Sequence, residues 1–380
     1  MALSRIDTTN MIEDVPQSKL DNNINFRNII INGDMSIAQR GTSTSSITGS
    51  DYHTVDRFRT AISSLGTFTQ SQSTDVPSGQ GFAKSLKMDC TTADASPSAS
   101  DQLIIQQRIE GQNLQYLKKG TANAESLTLS FWVKSNKTGT YVANILDNDN
   151  SRQISNSYTI NTSNTWEKKT LTFAGDTTGV FGNDNNTSIE LNFWLGAGST
   201  YTSGTLQTSW TSTASADLAV GQVNLADSTS NEWYITGVQL EAGTTASDFE
   251  FLPFDVNLER CKRYYEKSTD YSVDMANGAQ NVTYGGPGSW VAFNTSNIRT
   301  PVIYFECQKR ATPTLTIFAG DPAISNGNMG WYNGSSWQDG GNSINKLTAK
   351  GFYGTYNSNS AFGQFNAYLL TINWTADAEL

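Results

Sequence analysis

Two segments of the chain, residues 127–134 and 189–195, alternate apolar and polar side chains without interruption. Successive side chains of a β-strand point to opposite faces of its sheet, so each segment predicts a strand with one buried face. An amphipathic helix is excluded, because its apolar residues would recur every three or four positions. The polar side of the first segment carries Trp132, and that of the second carries Trp194.

Many other short segments are rich in β-branched and aromatic residues and are separated by Gly, Asn and Ser, which favour turns. They lie at residues 58–61, 66–70, 85–89, 103–110, 140–146, 157–160, 166–173 and 233–241. Only 16% of the residues are charged, which is typical of an all-β protein with many polar turns. This number of strands predicts a two-sheet β-sandwich over residues 26–254.

A short helix is predicted directly after this sandwich. Asp255 can serve as its N-cap, and Phe254, Leu258, Cys261 and Tyr265 have the spacing of one helical face. We therefore predict a helical linker over residues 255–267. Strand patterns at 289–293, 302–307, 315–318, 351–356 and 365–374 then predict a second, smaller β-sandwich domain over residues 268–380.

Residues 1–25 are polar, with few apolar side chains to anchor them. Such a segment does not fold alone, and we interpret it as an N-terminal arm that docks on another chain. The alternative is a tail that rests on its own domain.

Charge and composition exclude several functions. The formal net charge of −10 argues against a nucleic-acid partner, because phosphate binding needs clustered Lys and Arg. No apolar run reaches the length of a membrane span, and the N-terminus has no secretory apolar region, so we expect no membrane insertion. The three widely spaced cysteines predict reduced, buried thiols and no zinc site.

Three stretches together resemble a signature of phage tail-fibre and tail-associated virion proteins. They are NIIINGDMSIAQRG at 28–41, DRF at 56–58, and a segment at 237–265 that opens with GVQLEAG and closes with LERCKRYY. Phe58 stands where the family usually has Trp. A weaker similarity to small distal fibre domains lies at residues 299–301 and 311–314.

This resemblance implies a fold and a set of partners. Members of the family carry a β-sandwich like that of carbohydrate-binding modules, which implies a jelly roll for residues 26–254. It also implies a homotrimer, attachment to other virion proteins through residues 1–25, and a host surface glycan or receptor as ligand. The protein would be made in the host cytoplasm and located in the virion, in a tail or another surface appendage.

Aromatic side chains are the candidate glycan-binding residues, because sugar rings stack on exposed aromatic faces. Trp132 and Trp194 could form a platform if their strands share a sheet. The second candidate cluster is predicted on polar loops near the C-terminus and comprises Trp331, Tyr332, Trp337, Tyr353 and Tyr356. For both groups the alternative is packing, in a core or at a protomer interface.

No cofactor is expected; Asp147 and Asp149 are the candidate ligands for a structural calcium, because they supply the hard oxygen ligands that calcium takes. The alternative is an ordinary Asn/Asp turn.

Carboxylates at 147, 149, 184 and 190 could serve glycoside hydrolysis only if two of them converged. We therefore expect no catalytic residues. The sequence predicts a non-enzymatic tail fibre or receptor-binding appendage, with a structural decoration, horn or tail cement protein second and a polysaccharide depolymerase third.

Overall fold

The computed structural model describes residues 26–276, 278–279, 283–284, 297–300, 302–322, 324, 327–332, 335–357 and 369–380. The predicted N-terminal arm at residues 1–25 and the predicted strand at 289–293 lie outside these residues. The described part consists mainly of β-strands, which confirms the all-β prediction, and its two α-helices are Ser199–Thr202 (α1) and Phe254–Lys262 (α2). None of its helices is long and apolar enough to cross a membrane.

The first β region contains thirteen strands. They are β1 (Ser43–Ile47), β2 (Asp51–Tyr52), β3 (Arg59–Ser63), β4 (Thr67–Ser73), β5 (Ser85–Thr92), β6 (Gln102–Glu110), β7 (Leu127–Ser135), β8 (Gly139–Asp147), β9 (Arg152–Ile160), β10 (Glu167–Phe173), β11 (Thr187–Ala197), β12 (Thr211–Ser212) and β13 (Glu232–Ala242). Sheet I has the order β1-β4-β5-β13-β7-β10, and sheet II has the order β12-β9-β8-β11-β6-β3-β2. The chain crosses from sheet to sheet between β5, β6, β7 and β8, as in a jelly roll.

The core lies between these two sheets, where the alternation in the sequence predicts it. The apolar members of residues 127–134 and 189–195 are all buried in one cluster. Phe131 of sheet I and Phe193 of sheet II meet edge to face, with ring centroids 5.2 Å apart. The two alternating segments therefore supply the facing inner surfaces of a β-sandwich.

In the described residues, the second β region contains ten strands. They are β14 (Tyr265–Lys267), β15 (Thr283–Tyr284), β16 (Asn297–Arg299), β17 (Ile303–Tyr304), β18 (Thr314–Phe318), β19 (Met329–Tyr332), β20 (Trp337–Thr348), β21 (Gly351–Asn357), β22 (Leu369–Thr371) and β23 (Asn373–Asp377). One sheet has the order β14-β23-β18, and the other has the order β15-β22-β19-β20-β21-β16, with β17 also paired to β21. A separate apolar cluster that includes Phe352 and Trp374 forms their core.

Helix α2 confirms the predicted helix but corrects its cap. Pro253 occupies the N-cap position, and Asp255 lies in the first turn. A negative charge there is still favourable, because the first turn of a helix carries partial positive charge. The helix ends at Lys262, and Tyr265 begins β14 rather than extending the helical face. Two of the three predicted buried thiols, Cys90 and Cys261, are buried, whereas that of Cys307 is partly exposed.

The three signature stretches contact each other at the junction of the two β regions. The Asn28 side chain accepts a hydrogen bond from Leu240 N–H at 3.1 Å, and Gln39 Nε2 donates to the carbonyl of Tyr265 at 2.8 Å. The Arg40 guanidinium lies 3.7 Å from the centroid of the Tyr265 ring. Residues far apart in the sequence thus form one structural unit.

Glu110 joins the first sandwich to the end of α2. Its buried carboxylate accepts hydrogen bonds from Arg263 Nε at 2.8 Å and from the Tyr264 hydroxyl at 2.6 Å. Burial alone would raise the pKa of Glu110, but hydrogen bonds from these two residues outweigh it and hold the pKa below its usual value of 4.5. A depressed pKa adds stability above the unfolded-state pKa, which is lost as the pH falls through the folded-state pKa.

Glu110→Gln should therefore lower the free energy of unfolding at neutral pH and make it less sensitive to acid below pH 4.5. Urea denaturation of the wild type and the variant over a pH series measures both effects. Glu125→Gln is the matched control, since Glu125 forms an exposed ion pair with Lys118. An acid dependence that is the same in the wild type and in Glu110→Gln would show that Glu110 does not contribute as described.

Candidate functional site

The structure separates the two tryptophans predicted to form a platform. Trp132 lies in β7 of sheet I and Trp194 in β11 of sheet II, so the platform prediction is wrong. The Trp194 side chain is 1% exposed and packs against Tyr201 at a centroid distance of 5.2 Å. Its burial has a clear cause, because the chain between β11 and β13 folds back over this face of sheet II and packs Leu218 against it.

The C-terminal aromatic residues lie on paired strands, which corrects their prediction as loop residues. Trp331 in β19 is buried in the core of the second β region. Tyr332 and Trp337 face each other across the β19–β20 pair, with ring centroids 5.4 Å apart, and both are partly exposed. Tyr353 in β21 is partly exposed. Tyr356 is in the same strand, but its side chain lies outside the described part of the structure.

The outer side of sheet I carries a different set of aromatic residues. We call it the aromatic face and define it by Lys87, Trp132, Lys134, Trp166 and Tyr234. The neighbours of Trp132 and Lys134 along β7 point into the core, so these two side chains point outward. Tyr234 is paired with Lys87 on one side and with Lys134 on the other. The face thus crosses the middle of the sheet.

Trp166 completes the aromatic face from the residue just before β10. Its ring lies edge to face with that of Tyr234, with centroids 6.2 Å apart. The Lys134 ammonium lies 4.3 Å from the Tyr234 ring centroid and 5.8 Å from that of Trp166. Trp132 lies two residues before Lys134 on the same side of β7, opposite Lys168 of β10. Both tryptophans are partly exposed, as a stacking surface requires.

Hydrogen bonds fix the polar groups of this face. Asp75 accepts from Trp166 Nε1 at 2.9 Å and from the Lys134 ammonium. Burial alone would raise the pKa of Asp75, but these hydrogen bonds outweigh it and lower the pKa, so the carboxylate stays ionised. Burial and the nearby Glu232 raise the pKa of Tyr234 to about 12, so its phenol stays neutral.

A bulge in β13 lies beside Trp132. The register shifts between Thr236 and Gln239, and Gly237 there has a φ of 63°. The Phe82 ring covers this glycine so closely that a Cβ atom would lie 2.6 Å from it. Phe82 in turn contacts Phe249 and Phe251, each at a centroid distance of 5.1 Å. The extended segment before α2 therefore borders the aromatic face with further rings.

The aromatic face combines ring surfaces with fixed charged and hydroxyl groups. A pyranose has an apolar face of C–H groups that can stack on a ring, and hydroxyl groups around its rim that need hydrogen-bonding partners. The Asp75 carboxylate, whose side chain is 43% exposed, and the two partly exposed tryptophans can serve both parts, while the buried Lys134 and Tyr234 support them from below. This arrangement suits a saccharide chain lying across the sheet.

Sequence reasoning identified Trp132 but missed Trp166 and Tyr234. Tyr234 could have been found, because it alternates along β13 with Trp233 and Ile235, which lie in the core between the sheets. The position of Trp166 depends on the register of β10 against β7, where Glu167 pairs with Val133. No pattern in the sequence gives that register.

The residues proposed for calcium do not fit a calcium site. Asp147 accepts hydrogen bonds from the Lys119 ammonium at 2.6 Å and from Asn150 Nδ2 at 2.9 Å, and Asp149 accepts one from the backbone N–H of Gly182. An ammonium ion thus already neutralises the Asp147 carboxylate. Within the described residues no group of three or more His, Cys, Asp or Glu side chains could hold a metal ion.

Comparisons with known proteins were made for the whole chain. No family model matches it, and no curated protein matches it significantly. Solved structures give similarities at low TM-scores. The enzymatically active domain of bacteriophage CBA120 tailspike protein 4 has 17% identity and a TM-score of 0.29, and the match covers 57% of this chain but only 21% of that structure.

Two carbohydrate-binding modules give comparable scores. The CBM22-2 xylan-binding domain of Paenibacillus barcinonensis Xyn10C has 14% identity and a TM-score of 0.26, with 56% of this chain and 96% of that one covered. The family 11 module of Clostridium thermocellum, in complex with a mixed-linked tetrasaccharide, has 10% identity and a TM-score of 0.26, with 54% and 98% covered. At these scores we draw no conclusion about this chain from any of the three.

Proposed function

We propose that this protein is a non-enzymatic phage virion protein, a tail fibre or receptor-binding appendage that adheres to a glycan of the host surface through its aromatic face. The observation that carries the proposal is the placement of Trp132 and Trp166 on one outer face of sheet I, beside the hydrogen-bonded Lys134 ammonium and Asp75 carboxylate. The virion assignment and the homotrimer rest on the resemblance of the three signature stretches, and the attachment through residues 1–25 rests on their polar composition.

Weak sites suffice for such a role. A single stacking platform binds a saccharide modestly, and a trimer that presents three of them to one cell gains affinity through effective concentration. The aromatic face is fixed by hydrogen bonds and strand pairing, so little side-chain freedom is lost on binding.

Trp132→Ala and Trp166→Ala should each weaken glycan binding by roughly tenfold or more, because truncating a central aromatic anchor costs on the order of 2 kcal/mol. The measurement is binding of the purified full chain to a panel of bacterial surface polysaccharides, followed by titration of the best binder. Neither variant should unfold much more easily than the wild type, since both side chains lie outside the core.

Two further variants make the result interpretable. Tyr304→Ala removes an aromatic side chain that is 71% exposed in β17 and should leave binding unchanged. Trp337→Ala tests the second aromatic cluster. If only Trp337→Ala lost binding, adhesion would belong to the second β region and not to the aromatic face. If no polysaccharide bound the wild type, the structural role as a decoration or cement protein would replace adhesion.

A further inference from the structure

A cavity of about 480 Å³ opens at the edge of the first sandwich, away from the aromatic face. Its walls come from the segment around Asn28, the end of β6, the turn that carries Tyr116, and the last turns of α2. The volume is within the range of sites for small ligands, about 300–1,000 Å³.

Arg260 is the unusual side chain of this cavity. Its Nη1 is buried and has no hydrogen-bond partner, and its Nη2 reaches the carbonyl of Asn28 only at 3.5 Å. No carboxylate of the described residues lies within ion-pair distance of Arg260, whereas Arg263 beside it is paired with Glu110 at 2.7 Å. A buried guanidinium donor without a partner is costly, and Glu250 compensates the charge of Arg260 only from beyond ion-pair distance, so an anionic ligand would be stabilised here.

The remaining walls suit a ring with hydroxyl groups. Phe26 and Tyr116 both line the cavity and are 58% and 48% exposed, so each offers a ring surface to a ligand. Gln112 and Asn113 line it with exposed amide groups, which can donate to and accept from hydroxyls. Burial lowers the pKa of Arg260, which is consistent with a poorly solvated charge that an anion would stabilise.

We propose that this cavity binds one carboxylated sugar unit, with the carboxylate on Arg260 and the ring between Phe26 and Tyr116. The guanidinium attracts a carboxylate and can donate a charge-assisted hydrogen bond to it. Glu110 and Glu250 already lie close to the two arginines: Glu110 pairs with Arg263, and Glu250 accepts from the N–H groups of Phe26 and Asn28. The negative charges of these two carboxylates favour a ligand with one negative charge over a dianion such as phosphate. The site is separate from the aromatic face and does not depend on it.

The test is calorimetric titration of the full chain with glucuronic acid, glucose and inorganic phosphate. We expect glucuronate to bind, and glucose and phosphate to bind roughly tenfold or more weakly, because glucose lacks the charged group and phosphate lacks the sugar ring. Arg260→Gln should reduce glucuronate binding to the level of glucose. Tyr116→Ala should weaken both sugars.

Matched controls separate this site from surface charge and from the aromatic face. Lys350→Gln removes one exposed positive charge elsewhere and should leave glucuronate binding unchanged. Trp132→Ala should also leave it unchanged, so failure of this proposal and failure of the aromatic face are distinguishable. The proposal is overturned if glucuronate does not bind, if glucose or phosphate binds as tightly, or if Arg260→Gln binds glucuronate like the wild type.

Discussion

Replacing Arg57 with methionine should lower the free energy of unfolding by about 3–5 kcal/mol, the usual cost of removing one partner of a buried ion pair. The Arg57 side chain is 1% exposed and pairs with Glu379, which is 5% exposed. Its guanidinium also lies 3.5 Å from the Tyr264 ring centroid and donates to the carbonyl of Arg108 at 2.6 Å. The variant leaves Glu379 buried with Arg40 as its remaining partner.

Methionine is chosen because it isolates the charge. Arg57 has a φ of 71°, a strained region for any residue with a side chain, and methionine keeps that strain unchanged. Urea denaturation followed by circular dichroism gives the difference in unfolding free energy.

Two comparisons test the cause of this loss. Lys118→Met breaks an ion pair whose side chains are 54% and 39% exposed, and it should cost less than about 1 kcal/mol. The double variant Arg57→Met, Glu379→Leu removes both buried charges and should recover much of the loss. If Arg57→Met cost no more than Lys118→Met, the buried pair would not stabilise the junction.

The signature stretches were recognisable in the sequence, but their physical role was not. Asp56, Arg57 and Phe58 are consecutive, yet each side chain contacts a different part of the protein. Asp56 accepts from Gln39 N–H at 2.9 Å, Arg57 reaches Glu379, and Phe58 is fully buried in the core. Sequence alone could not show this, because Glu379 lies 322 positions after Arg57. The hydrogen bonds between Asn28 and Leu240 and between Gln39 and Tyr265 explain why the opening stretch and the stretch around α2 occur together.

Strands were predictable where one face is buried, because burial imposes a period of two on the sequence. The strands with alternating apolar residues, such as β7 and β11, were found close to their observed bounds. Short edge strands such as β1 and β12 were not, since they contribute little to a core. Which aromatic residue is exposed depends on what covers each sheet, so Trp194 was misjudged and Trp166 missed.

The sequence also could not show that Asp147 pairs with Lys119, because Lys119 lies outside the loop of Asp147. Lys119 brings its ammonium within 2.6 Å of Asp147 and 3.1 Å of Asp176, and it donates to the carbonyls of Thr178 at 2.8 Å and Gly179 at 3.1 Å. These two carboxylates and two carbonyls are the oxygen types that calcium binds. Lysine therefore supplies the positive charge that a metal ion would otherwise provide.

Lys119→Ala and Lys119→Met should each lower the free energy of unfolding by about 3–5 kcal/mol, because both leave the buried Asp147 and Asp176 without this cation. Arg152 still pairs with Asp176, so Asp147 accounts for most of the loss. Only Lys119→Ala opens space among the four oxygens, since methionine fills the volume that lysine occupied. Calcium should therefore stabilise the alanine variant and leave the methionine variant unchanged.

Thermal and urea denaturation with and without calcium measure this difference, and a chelator added to the wild type completes the experiment. Calcium at a free concentration of a hundred times its dissociation constant would restore about 2.7 kcal/mol of unfolding free energy to Lys119→Ala. The wild type should not respond to the chelator, because its ammonium cannot be removed. If the chelator destabilised the wild type, an ion would be bound beside Lys119 and the lysine would not replace it. If calcium stabilised both variants equally, the ion would act elsewhere on the protein.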